Sequence, residues 1–169
     1  ENVMNLTEGL LANIFKKTKG ITLNLPFDRM TYEDAMNMYG SDKPDTRFEM
    51  VINDITNAFV NTDFGVFKDV ISNGGMINAI VVKNAADKYS RKDIDKLTEF
   101  VKTYKASALA FLKYDNEFTG SIAKFVDLET GNLLKDKLGL ENNDLILIVA
   151  GNKKIVKTSL GALRLKLGK

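Results

Sequence analysis

The sequence predicts an α+β domain built as a two-layer sandwich. Three observations point there. Beyond residue 63 the elements follow the order β-β-α-β-α-β, with a closing helix. The turn Ser72-Asn73-Gly74-Gly75 separates two β-rich runs, residues 64–71 and 76–83, in the manner of a hairpin. Leu145-Ile146-Leu147-Ile148-Val149 is a continuous apolar run suited to a central strand. A chain of 169 residues, 44% hydrophobic and 27% charged, has enough apolar surface to close a core.

Taken in order, Val3, Leu6, Leu10, Leu11, Ile14 and Phe15 recur at helical spacing. Lys16, Lys17 and Lys19 suit the carbonyl end of that helix, and Gly20 stops it. The chain opens at Glu1 within this pattern, which reads as a piece of a longer protein. Ile21-Thr22-Leu23-Asn24-Leu25 alternates as a strand and closes at Pro26. Thr31 and Asp34 match a capping box, and Gly40 ends the short helix it starts. Pro44 then keeps Lys43 out of helical geometry.

Asn53-Asp54 precedes a short helix carrying Ile55, Ala58 and Phe59, and a new unit starts near Asp63. Ser90 and Asp93 form a second capping box, and Ile94, Leu97, Val101 and Tyr104 share one face of the helix behind it. Residues 108–114 read as a strand, and 121–125 and 133–138 as helix, broken near Thr130-Gly131. Asn152 caps a last helix with Ile155, Val156, Leu160, Leu163 and Leu167 inward.

Composition removes whole classes of chemistry. Cysteine and histidine are both absent, which excludes disulfides, thiolate nucleophiles, Cys/His zinc sites and histidine-assisted serine catalysis. No apolar run approaches the roughly 18 residues of a membrane span, and no signal peptide is visible. Neither phosphate-cradling glycine motif occurs. Net charge is only +2, but its distribution is uneven. Residues 152–169 contain Lys153, Lys154, Lys157, Arg164, Lys166 and Lys169 and no carboxylate.

Two clusters are candidates for function. Asp42, Lys43, Asp45 and Arg47 gather both signs of charge on one loop, and either line the mouth of an active site or pair among themselves. Lys153, Lys154, Lys157, Arg164 and Lys166 on the last helix either meet phosphates or are simply solvated. Asp127, Glu129 and Asp136 lack the spacing of a metal site and read as a solvated helix face. No residue is assigned a catalytic or metal-binding role.

Tyr39-Gly40-Ser41-Asp42-Lys43-Pro44-Asp45-Thr46-Arg47 closely resembles a loop of bacterial-type aspartyl-tRNA synthetases. Further anchors are Leu109-Ala110-Phe111-Leu112-Lys113, Ile122-Ala123-Lys124-Phe125, Gly151-Asn152-Lys153-Lys154-Ile155-Val156 and the glycine-to-lysine run from 161 to 169. Together they resemble the domain inserted in that class II enzyme, whose relatives also occur in the B subunit of the tRNA-dependent amidotransferase. The resemblance implies a mainly antiparallel four-stranded sheet with helices on one side. It implies that 1–62 is a piece of the catalytic domain following its second signature motif, and that 63–169 is the insertion. It also implies an aminoacyl-tRNA synthetase of protein biosynthesis, cytoplasmic and homodimeric, which uses ATP and magnesium to activate aspartate and charge tRNA.

The ATP-binding motifs of that enzyme lie outside this chain, and Phe27-Asp28-Arg29 only echoes one of them with its order changed. The chain alone is therefore expected to be inactive and to need no cofactor, with the rest of the catalytic domain and tRNA as partners and no membrane. Competing readings are a free-standing interaction module of the same fold and a small-molecule-binding domain.

Overall fold

A computed structural model describes residues 2–168, so Glu1 and Lys169, the ends of the two expected domains, lie outside the described residues. The chain forms two compact units, divided between Thr31 and Tyr32.

In the first unit, α1 (Asn2–Lys19) carries its lysines in the last turn. Gly20 follows with φ 67° and donates to the Lys16 carbonyl. The alternation at 21–25 does not produce a strand. A strand needs a ladder partner for its N–H and C=O groups, and this unit has no other strand among its described residues. The segment returns along α1 instead. Glu8, 7% exposed, accepts from the Phe27 N–H at 3.1 Å and from Arg29 at 2.9 Å. Arg29 also reaches the Asn5 amide oxygen. Val3, Leu6 and Leu10 remain largely exposed.

The second unit comprises α2 (Tyr32–Tyr39), β1 (Asn53–Asp54), a 3-10 turn at Thr56–Phe59, α3 (Gly65–Ser72), β2 (Met76–Val82), α4 (Arg91–Thr103), β3 (Ala110–Asp115), β4 (Glu117–Gly120), a 3-10 turn at Ala123–Phe125, α5 (Leu128–Leu138), β5 (Asp144–Gly151) and α6 (Lys153–Leu167). All strand pairs are antiparallel, in the order β1-β2-β5-β3-β4. β5 is central as expected. It pairs with β2 from Met76↔Gly151 to Val82↔Leu145, and with β3 from Ala110↔Ile148 to Tyr114↔Asp144. With a neighbour on both edges and cover on both faces, every side chain of its apolar run is buried.

The α+β class and the antiparallel sheet agree with the sequence, but the layering does not. The sheet has five strands, and helices cover both faces. Leu145, Leu147 and Val149 face Ile94, Leu97 and Val101 of α4 and Val156, Leu160 and Leu163 of α6. Ile146 and Ile148 face Phe67 of α3, Leu134 and Leu138 of α5, and Ile55 and Phe59.

Beside α5, the additional layer is completed by residues 64–71, which fold as a helix rather than a hairpin strand. Phe64, Phe67, Val70 and Ile71 fall at spacings of three and four, so a helix brings them to one side. Phe67 then meets Phe59 and Phe64 edge-on at 5.0 and 4.9 Å. The glycine turn is the end of that helix. Gly74, at φ 69°, donates to the Ile71 carbonyl and Gly75 to the Val70 carbonyl, the paired bonds of a glycine-terminated helix.

Other local expectations hold with adjustments. Ser90 and Asp93 form the full capping box. Asn152 accepts from the Lys154 N–H. α5 runs unbroken from Leu128 because Asp127 caps it through the Thr130 N–H. Gly131 sits inside α5 where the Phe118 ring would lie 3.2 Å from a β-carbon. Segment 121–125 forms only a 3-10 turn, and the β3–β4 hairpin, turning at Asn116 with φ 57°, had no expected counterpart.

Residues 32–62 pack in the same unit as the sheet, with Ile52, Ile55 and Phe59 buried in its two cores. Compactness thus divides the chain at 31/32, whereas the resemblance divides it by lineage at 62/63.

Candidate functional surface

α6 carries the basic stretch, and its geometry sorts those residues into two kinds. Lys157, Gly161 and Arg164 stand at i, i+4 and i+7 and so share one face. That face is turned inward against α2 and the loop after it. Lys157, 6% exposed, donates to the Asn37 carbonyl at 2.8 Å. The Asn78 amide, oriented to satisfy its neighbours, accepts from the same ammonium at 3.0 Å. Gly161 allows backbone to touch backbone: a β-carbon there would lie 2.6 Å from the Tyr39 carbonyl oxygen. Gly40, at φ 67°, is equally constrained from the other side, where a β-carbon would collide with the Lys157 carbonyl.

Arg164 completes this junction. It is 1% exposed and donates to three carbonyls, from Nε to Met50 at 3.0 Å and from one terminal nitrogen to Asp45 at 2.7 Å and Phe48 at 2.9 Å. Its guanidinium lies between the rings of Tyr39 and Phe48, at 4.6 and 4.2 Å from their centroids. Burial pushes the pKa of both Lys157 and Arg164 down. Two of the five candidate cations are therefore taken up inside the fold, neither meeting phosphate nor solvated. The sequence suggests a surface because six basic positions without a carboxylate look like one; the carbonyls that receive these two lie far earlier in the chain. Lys153, Lys154 and Lys166 are exposed.

The loop between α2 and β1 is brought together only in part. Asp45 accepts from the Arg47 backbone N–H at 3.1 Å, and from its side chain at 2.9 and 2.6 Å. Asp42 and Lys43 are exposed, and the Lys43 N–H is received by the Ser41 hydroxyl. The Arg47 side chain holds the Asp45 carboxyl down to about 2. A carboxylate with a lowered folded pKa adds stability above its ordinary value of 3.8, and that contribution disappears as pH falls through about 2. An NMR titration should accordingly find the Asp45 midpoint well below 3.8. Arg47→Ala should return its midpoint toward 3.8.

Two features have no counterpart among the sequence expectations. One is a polar node beneath β5. Asp144, 1% exposed, accepts from Lys83 at 2.9 Å and from the backbone N–H groups of Asn84 and Glu141 at 3.0 and 2.9 Å. Its neighbour Asn143, at φ 68°, receives the Ala85 and Ala86 N–H groups on its carbonyl and the Asp87 N–H on its side chain. The turn residues Asn142-Asn143-Asp144 are the available signal. The other is an aromatic and basic groove between α4 and α6, formed around Phe100, Tyr104, Lys154 and Lys166. Helical spacing assigns Tyr104 to the inward face of α4, yet it is 38% exposed.

Among the described residues, no group of three or more acids is arranged to hold a metal ion. Asp127 caps α5 rather than pairing with Glu129 or Asp136. No described helix is long and apolar enough to cross a membrane.

Residues 67–160 match the family model of the GAD domain. Over its whole length the chain is 51% identical to an aspartate–tRNA ligase of Streptococcus agalactiae and 49% identical to one of Halalkalibacterium halodurans. It is also 49% identical to an aspartate–tRNA(Asp/Asn) ligase of Bacillus cytotoxicus. The chain spans 28 to 29% of the length of these relatives.

Proposed function

Since the GAD domain model matches more than half of it, this chain belongs to the GAD domain family, and we propose that it is the insertion-domain segment of an aspartate–tRNA ligase. The observation that carries this reading is the reach of the similarity. It covers 100% of the chain, including residues 32–62 ahead of the matched domain, at about half identity. The loop and the α6 face that receives it therefore fall within the same aligned stretch.

In the intact class II enzyme, aspartate is activated with ATP and passed to tRNA. Magnesium and arginines outside this chain offset phosphate charge during the displacement. This segment contributes no group to that chemistry. Its partners are the rest of the catalytic domain and tRNA, in a cytoplasmic homodimer. The loop bearing Asp42, Lys43, Asp45 and Arg47 lies at the rim of the active site, and α6 lies beside the path of the acceptor arm. Lys153, Lys154 and Lys166, being exposed, are the residues available for phosphates.

The test is charge reversal in the intact ligase. Lys153→Glu combined with Lys154→Glu should raise KM for tRNA and flatten its salt dependence, by ~0.9 in log–log slope for each duplex phosphate that is no longer neutralised. Aspartate activation should not change. Charging kinetics identical to wild type at low salt would remove α6 from the tRNA path.

A further inference from the structure

The groove between α4 and α6 has the chemistry of a site for unpaired bases. Two hollows, of about 620 and 530 Å3, share Tyr104 and Thr158 in their walls. Phe100 and Tyr104 stand side by side, with ring centroids 5.3 Å apart. The Lys166 ammonium lies 4.6 Å from the Phe100 centroid. Lys105 and Lys154 border the second hollow. The residues lining the two hollows include three lysines and no carboxylate. Glu99, beside Phe100 in sequence, is engaged by Lys102 at 2.8 Å. Gly161 also lines the first hollow.

We propose that this groove binds a single-stranded stretch of RNA, with a base stacked on the exposed ring of Tyr104 and phosphates met by Lys105, Lys154 and Lys166. Base stacking on exposed aromatics, bordered by cations that follow the backbone, is the recurring arrangement for unpaired nucleic acid. A duplex hides its base faces and would use only the lysines. An acidic peptide would answer the charge but leaves the exposed Tyr104 ring without a planar partner. The choice of RNA as the class of partner rests on the reading of the chain as a tRNA ligase segment; the choice of single-stranded RNA rests on the groove.

The experiment uses the 169-residue chain and fluorescence anisotropy with three probes: an oligoadenylate RNA of about ten nucleotides, within the usual site size for unpaired strands, an RNA duplex of equal length and a polyglutamate peptide. The oligoadenylate should bind tightest. Tyr104→Ala should weaken it by about tenfold, and Tyr104→Phe, which keeps the ring, should match wild type. Lys105→Glu with Lys154→Glu should reduce the salt slope by ~1.4. Circular dichroism identical to wild type shows that each variant is folded. Absence of saturable RNA binding, indifference to Tyr104→Ala, or preference for duplex or polyglutamate would each overturn the proposal. None of these results bears on aspartate activation, whose own assay tests the functional reading separately.

Discussion

Arg164→Ala should lower the unfolding free energy by about 3–5 kcal/mol, the largest loss expected from any single side chain here. Truncation removes the donors to the carbonyls of Asp45, Phe48 and Met50 together. It also opens a gap between the Tyr39 and Phe48 rings that the guanidinium fills. Arg164→Lys should recover only part of the loss, because an ammonium cannot fill the planar space between two rings while reaching three carbonyls. Urea denaturation with an unchanged m-value would report the loss as stability rather than altered compactness. The perturbation should be local before it is global, with chemical shifts of Phe48 and the 40–50 loop moving while β5 amides keep their protection.

Asp144→Ala should follow, at about 3 kcal/mol. The carboxylate is 1% exposed and receives two backbone N–H groups as well as Lys83. Removing it leaves the Asn84 and Glu141 N–H groups without their acceptor. Lys83 is half exposed and retains the Gly139 carbonyl, so its share of the loss is small. Asp144→Asn keeps one acceptor oxygen but turns an NH2 donor toward the groups the other oxygen received, so it should recover only part of the loss. Equal losses for the two variants would mean that charge, rather than the number of accepted bonds, dominates the node.

The sequence disclosed what is decided locally. Caps at Ser90 and Asn152 depend on residues two or three apart and appear where expected. The β5 run is legible because burial on both faces leaves no polar alternation. The turn at 72–75 misleads because a glycine after a helix and a glycine in a hairpin satisfy the same need for positive φ. With that turn read as a hairpin, the helical spacing of Phe64, Phe67 and Val70 goes unused, and the second helical layer with it.

The role of the basic helix is hidden for a different reason. Arg164 is internal only because carbonyls 114 to 119 residues earlier turn toward it. No spacing within 152–169 records that. Lys166, two positions on, has the same composition around it and stays exposed. Burial of a cation is a property of the surface that meets it, and here that surface is the loop following Gly40.

The measurement closest to the central claim is aspartate-dependent ATP–pyrophosphate exchange, run on this 169-residue chain beside the full product of the gene that encodes it. Exchange at the blank level is expected for the chain, and clear, aspartate-dependent exchange for the full product. Exchange that purifies with the chain alone, or a full product that shows none, would contradict it.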